Sequence, residues 1–151
     1  MKAKFYMMAM ALFAFAITGC GKENETPTTN LTTKVVGEWH CAPEEYDVDV
    51  YVAFTAEGTF DEYQRVGEGR YRHYAGTWEV NKDELSGVYA DGVAWGSSYK
   101  VAFSGDTMLL TSTNNSAETM TYTKEIIPEE VKESAITPFA VRANDNNERW
   151  F

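Results

Sequence analysis

Residues 71–80 read YRHYAGTWEV, and the fold follows from how that stretch alternates. In an extended chain successive side chains point to opposite faces, so Tyr74, Gly76, Trp78 and Val80 share one side while Thr77 and Glu79 take the other. The same division recurs in SYKVAFSG, residues 98–105, where Tyr99, Val101 and Phe103 oppose Lys100 and Ser104. One oily face and one wet face is the pattern of an antiparallel sheet packed on a core from one side.

Working outward from these two stretches, the chain divides into short runs rich in Val, Tyr, Phe, Trp and Thr, the residues that suit a pleated surface. Eight strands are predicted, over residues 35–41, 49–55, 59–66, 71–80, 85–89, 99–104, 108–113 and 118–125. AEG, NKDE, SGD and TNNSA join neighbours as hairpin connections, with Gly or Asn where a positive φ is wanted. No helical period interrupts the series. Tight connections imply sequential antiparallel pairing, and closure into a barrel removes the exposed edges an open meander would leave. The expected fold is therefore all-β, an eight-stranded antiparallel up-and-down barrel. A short C-terminal helix or tail follows, with PEEVKES, residues 128–134, long enough for two turns.

Two echoes are the most specific internal feature: Val36-Gly37-Glu38-Trp39 opens the first strand and Ala75-Gly76-Thr77-Trp78 lies in the fourth. Gly and Trp two apart point to the same face, so the missing side chain leaves room for an indole or a crossing strand. A Gly-x-Trp in the first strand of an eight-stranded meander resembles the lipocalins. Closer still, GEW, FTAEGTF and GTWEV resemble the GxW, F…GTF and GTW of lipocalin-like domains in Bacteroidetes lipoproteins. The resemblance runs over residues 35–125 and implies a small-ligand barrel. It departs from true lipocalins at SGDTM, where they carry a Thr-Asp-Tyr turn, and at Lys124, where a late-strand Arg packs over the first Trp.

The N-terminus supplies an address. Lys2 and Lys4 precede an apolar run over residues 5–17, and Thr18-Gly19-Cys20 closes it with small residues, the layout of a secretory signal. Ile17-Thr18-Gly19-Cys20 resembles the bacterial lipobox, which implies cleavage and acylation at Cys20. Gly21 is not the Asp of inner-membrane retention, and Lys22-Glu23-Asn24-Glu25 resembles a surface-export signal. The expected location is the outer membrane, lipid-anchored and exposed at the cell surface. Residues 1–19 thus read as signal peptide, 20–34 as a lipidated, Thr-rich linker, 35–127 as the barrel and 128–151 as a C-terminal extension.

With Cys20 lipidated, Cys41 has no partner in the chain, so a disulfide framework is excluded. Lying two residues after Trp39, it reads as buried and inert. Losing the signal removes two lysines and leaves 11 basic against 23 acidic residues, a net charge of −12. Such a surface repels nucleic acid and anionic headgroups.

Chemistry is sparse. His40 and His73 alternate out of the apolar face and are expected to face solvent, in no metal-ligand spacing. Ser97-Ser98 has no nucleophile-elbow context, and no glycine-rich stretch leads from strand to helix. Glu44-Glu45, Asp47, Asp49 and Asp61-Glu62 are read as a solvated face rather than a calcium loop or a glycosidase pair. In the tail, ITPFAVRANDNNERWF, the apolar patch at residues 136–141 is expected on the barrel exterior and the last ten residues are expected to be mobile.

Neither a metal, a cofactor nor catalysis is expected. The leading reading is a binding module in which Trp39, Phe54, Trp78, Tyr99 and Phe103 line a small pocket for a hydrophobic or aromatic ligand. The alternative is a barrel filled by its own aromatics that binds an envelope protein as a scaffold or inhibitor, for which an aromatic patch exposed around Tyr89 to Trp95 would speak. Cavity size separates the two, because an eight-stranded barrel has room only for its own side chains or one small ligand.

Overall fold

The computed structural model describes residues 27–138 and 149–151. The signal segment, Cys20 and its neighbours up to residue 26, and residues 139–148 lie outside the described residues. Eight strands follow one another in sequence: β1 (Gly37–Cys41), β2 (Val48–Phe54), β3 (Thr59–Val66), β4 (Arg72–Asn81), β5 (Glu84–Tyr89), β6 (Tyr99–Ser104), β7 (Thr107–Ser112) and β8 (Thr119–Lys124). Each pairs antiparallel with the next, and β1 closes on β8 through Trp39 opposite Lys124 and His40 opposite Thr123. The expected barrel is present, with strand ends shifted by one or two residues. Two connections depart from the expected turn chemistry: in NKDE the positive φ falls on Lys82, and in TNNSA neither Asn adopts one.

Alternation decides what points inward. Trp39 and Cys41 from β1, Val50, Val52 and Phe54 from β2, and Met108 and Leu110 from β7 are buried inside with the aromatics of β3 to β6. Cys41 is a free thiol in this wall, pushed up to about 11 chiefly by burial. The two Gly-Trp echoes have different causes. Gly37 adopts a φ of 141°, which an L side chain would strain. Gly76 instead lets β5 and Phe60 approach: a Cβ there would sit 2.8 Å from the Phe60 ring and the Tyr89 Cα, and closer still to the Val88 carbonyl.

The barrel has two unlike ends. At the end where β1 begins, the stretch read as linker carries a helix, α1 (Pro27–Val35). It has no sustained apolar period, and nine residues are too few to be helical alone. Docking holds it: Val35 is fully buried in the core and its carbonyl accepts the Trp39 indole N–H at 2.8 Å. Pro27 at the first position and Lys34 in the last turn suit the helix locally.

On the outer wall, α2 (Glu129–Ser134) lies where a two-turn helix is expected. Val131 and Ile127 cover Tyr51, Tyr63 and Tyr71, so Tyr51 is buried although it points away from the barrel interior. Ile136 then hydrogen-bonds along the edge of β4, donating to Tyr71 and accepting from His73, each at 2.9 Å. That part of the apolar patch is exterior, as expected.

Both histidines are on this outer face but neither is simply solvated. His40 bonds Asp49 at 2.7 Å and Glu125 at 2.9 Å and stacks on Tyr51. His73 bonds Asp61 at 2.7 Å and stacks on Tyr63. Asp49 also accepts from Arg65 and Tyr71. Burial works to raise its carboxyl, and the bonds from Tyr71 and His40 outweigh this and hold it below the ordinary carboxylate range.

Candidate ligand site inside the barrel

The other end, where β1 finishes and β2 begins, opens to solvent in a cleft of about 380 Å³ lined by Cys41, Tyr46, Tyr99, Met120 and Trp150. Trp150 belongs to the segment expected to be mobile. The described part of that segment, residues 149–151, instead enters the barrel through this mouth, with Phe151 buried in the core. The Phe151 ring stacks on Trp95, centroids 4.3 Å apart and planes 16° from parallel, and lies near-parallel to Tyr122 at 6.3 Å. Phe60 and Tyr99 meet it edge-on at 6.4 and 5.9 Å. Trp150 donates its indole N–H to the Tyr122 hydroxyl at 2.8 Å. Arg149 forms a two-pronged ion pair with Asp91 at the rim, its guanidinium 4.2 Å over the Tyr89 ring. Aromatic packing of this kind explains why residues 149–151 are held: the cost of ordering them is offset by burying the Phe151 ring and part of the Trp150 indole.

Trp95 reaches the interior from a loop. β5 and β6 share only two registered pairs, Glu84 with Lys100 and Leu85 with Tyr99. The connection between them folds back on β5, with the Trp95 N–H donating to the Gly87 carbonyl at 3.0 Å. The indole lies over Gly87, where a Cβ would fall within 2.5 Å of two of its ring atoms. Tyr89 and Trp95 therefore form no exposed aromatic patch; both are buried.

Five residues were expected to line one pocket, and the ring contacts divide them. Trp39 and Phe103 pair at the α1 end, 5.9 Å apart. Lys124 lies 5.5 Å over Trp39, in the place where lipocalins were expected to carry Arg. Phe54 meets Trp78 edge-on at 5.3 Å in the middle of the core, and Trp95 at 6.4 Å. Tyr99 stands at the mouth, 6.2 Å from Trp95. Only Phe54, Trp78 and Tyr99 connect to the aromatic group around Phe151.

Sequence reading missed the polar centre of this group. Glu62 shares the inward face of β3 with Phe60 and Gln64 and is fully buried. Burial pushes its carboxyl up to about 8, against the Tyr89 hydroxyl, the Trp150 backbone and Arg149, which each pull it down. Oε2 accepts a 3.3 Å bond from Tyr89, while Oε1 has no partner among the described residues. The signal was present in the sequence: in GTFDEYQRV, Glu62 falls two residues after Phe60.

Among the described residues no group of His, Cys, Asp and Glu is arranged to hold a metal ion. Buried carboxyl, phenols and indoles in an aromatic chamber can bind through stacking and hydrogen bonds.

In shape the chain is similar to a lipoprotein, YedD, from Klebsiella pneumoniae subsp. pneumoniae, at 20% identity over 66% of this chain and 80% of that one, with a TM-score of 0.45. It is similar also to a protein from Bacteroides uniformis, at 13% identity over 64% of this chain and 93% of that one, with a TM-score of 0.48. No curated protein matches the chain. The family model of the lipocalin-like domain matches residues 22–110, more than half of the sequence, and the chain belongs to that family.

Proposed function

We propose that this chain is a non-catalytic binding module of the cell envelope, lipid-anchored at Cys20 and taking one small hydrophobic or aromatic ligand through the open end of its barrel. The observation that carries the reading is the origin of the core. The strands alone do not fill the interior at the mouth; Phe151 and Trp150, arriving from outside the strand frame, complete the aromatic stack. A barrel that holds a peptide segment as a guest has the volume and the surface to hold a small molecule there instead. The envelope location rests on the lipobox and the export-like signal of the sequence.

Titration with the neutral apolar probe N-phenyl-1-naphthylamine, read by tryptophan quenching, tests it. Saturable one-to-one binding is expected, at least about tenfold tighter in a chain ending at residue 148 than in the full chain. Absence of saturable quenching in both, with the strand signal of circular dichroism retained, overturns the reading. That result favours the alternative of a filled barrel acting through its outer surface on an envelope protein, which the present burial of Phe151 also fits.

A further inference from the structure

We infer that the ligand of this chamber is a small aromatic amine, its ring in the slot held by Phe151 and its ammonium on the free oxygen of Glu62. The inference rests on the binding-module reading and deepens it by naming the ligand chemistry.

The ring slot is defined by two near-parallel walls. Trp95 and Tyr122 both lie within 16° of the Phe151 plane, in a core whose other ring contacts are edge-on or tilted. A flat ring is what such walls hold best.

Beside the slot stands a carboxyl with one unanswered oxygen. Glu62 Oε1 is buried without a hydrogen-bond partner among the described residues, while the rest of the carboxyl is met by the 3.3 Å bond from Tyr89 and by the Trp150 backbone. A buried carboxylate is costly unless paired and hydrogen-bonded. The segment inside the barrel brings a cation close without supplying that pair. Arg149 spends both terminal nitrogens on Asp91, leaving its Nε likewise without a partner. Its guanidinium nevertheless rests over Tyr89 at 4.2 Å and Tyr74 at 5.5 Å, so these π faces already accept a cation. The occupying segment is thus an aromatic cation in outline, with its charge turned to the rim. A ligand with the charge turned inward would satisfy Glu62, and the pairing of a charge-assisted hydrogen bond with a stacked ring is selective for that combination.

The groups facing Glu62 are Tyr89 from β5, Tyr99 from β6, Tyr122 from β8 and Arg149. Burial raises all three phenols, Tyr99 to about 12, so they stay neutral where Glu62 ionises. Affinity for an amine should therefore rise with pH as Glu62 loses its proton, in the window below about 8.

The test uses the full chain with Phe151→Ala, which vacates the ring slot, and two probes that share a ring: tryptamine, with its ammonium, and neutral 3-methylindole. Tryptamine should bind at least about tenfold tighter, and the preference should fall to about twofold or less when Glu62→Gln is added. Equal affinities, or a preference unmoved by Glu62→Gln, overturn the inference and leave the binding-module reading standing. If neither tryptamine nor 3-methylindole binds saturably, both readings fail. Where Phe151→Ala loses its strand signal, the unsubstituted chain carries the test by nuclear magnetic resonance of the Trp95 indole N–H. A saturable shift with tryptamine that Glu62→Gln abolishes supports the amine site; no such shift overturns it.

Discussion

Glu62 shows what one inward-facing acid does to a small core. Its carboxyl is held up at about 8 by burial, against an ordinary value of 4.5, so between those two values the folded chain keeps a proton the unfolded chain has lost. Stability from this group is therefore fully present below about pH 4.5 and is lost as pH rises toward 8, at up to about 1.4 kcal/mol per pH unit. Asp49, held below its ordinary 3.8, acts only under that range, where its contribution is lost as acid is added. We predict that urea unfolding midpoints of the wild type fall between pH 5 and pH 8, and that Glu62→Gln flattens most of this slope. An unchanged slope in the variant would place the titration elsewhere. The alternation that reveals Trp78 applies equally to Glu62, yet an acid next to Asp61 and near a run of acids reads as surface. Composition concealed what periodicity had placed.

Strands were the most legible elements, because one half-buried face writes itself into every second residue. α1 was not legible: TTNLTTK has no apolar period, and its helix exists through Val35 and the Trp39 indole bond, contacts made by tertiary structure. Nor was the return of the loop after β5, since DGVAWGSS looks like an ordinary polar connection. Its sign was Gly87, the vacancy that admits Trp95. Gly87→Ala should cost about 1 to 3 kcal/mol by overpacking. Gly96→Ala in the same connection, where a Cβ meets nothing within 4 Å, should leave the chain near wild type. Thermal melts compare them, and equal melting temperatures would mean that Trp95 does not lie over β5. The same site is where the barrel wall is weakest, so the amides around the β5–β6 seam should be the first of the strand amides to exchange.

For the molecule as a whole, the barrel and its family were legible from motifs spaced along residues 35–125, while the content of the chamber was not. The final residues carry a polar run that argues for solution, and only the three-dimensional placement of Trp95, Tyr122 and Phe60 gives Phe151 somewhere to go. The proposed lipid anchor is tested at the scale of the whole chain too. Cys20→Ala should release the protein from the membrane fraction or leave it unprocessed; a variant that still sediments fully with membranes would remove the lipid from this account. α1 packs at the end of the barrel opposite the mouth, beside a cleft of about 420 Å³ lined by Trp39, Phe103 and Lys124, and Cys20 precedes it in the sequence. Under the proposed anchor at Cys20, a barrel tethered at that end would stand on its base. Its opening would then point away from the bilayer, toward whatever diffuses through the surrounding water, and a guest would be collected from the aqueous side rather than drawn out of the lipid.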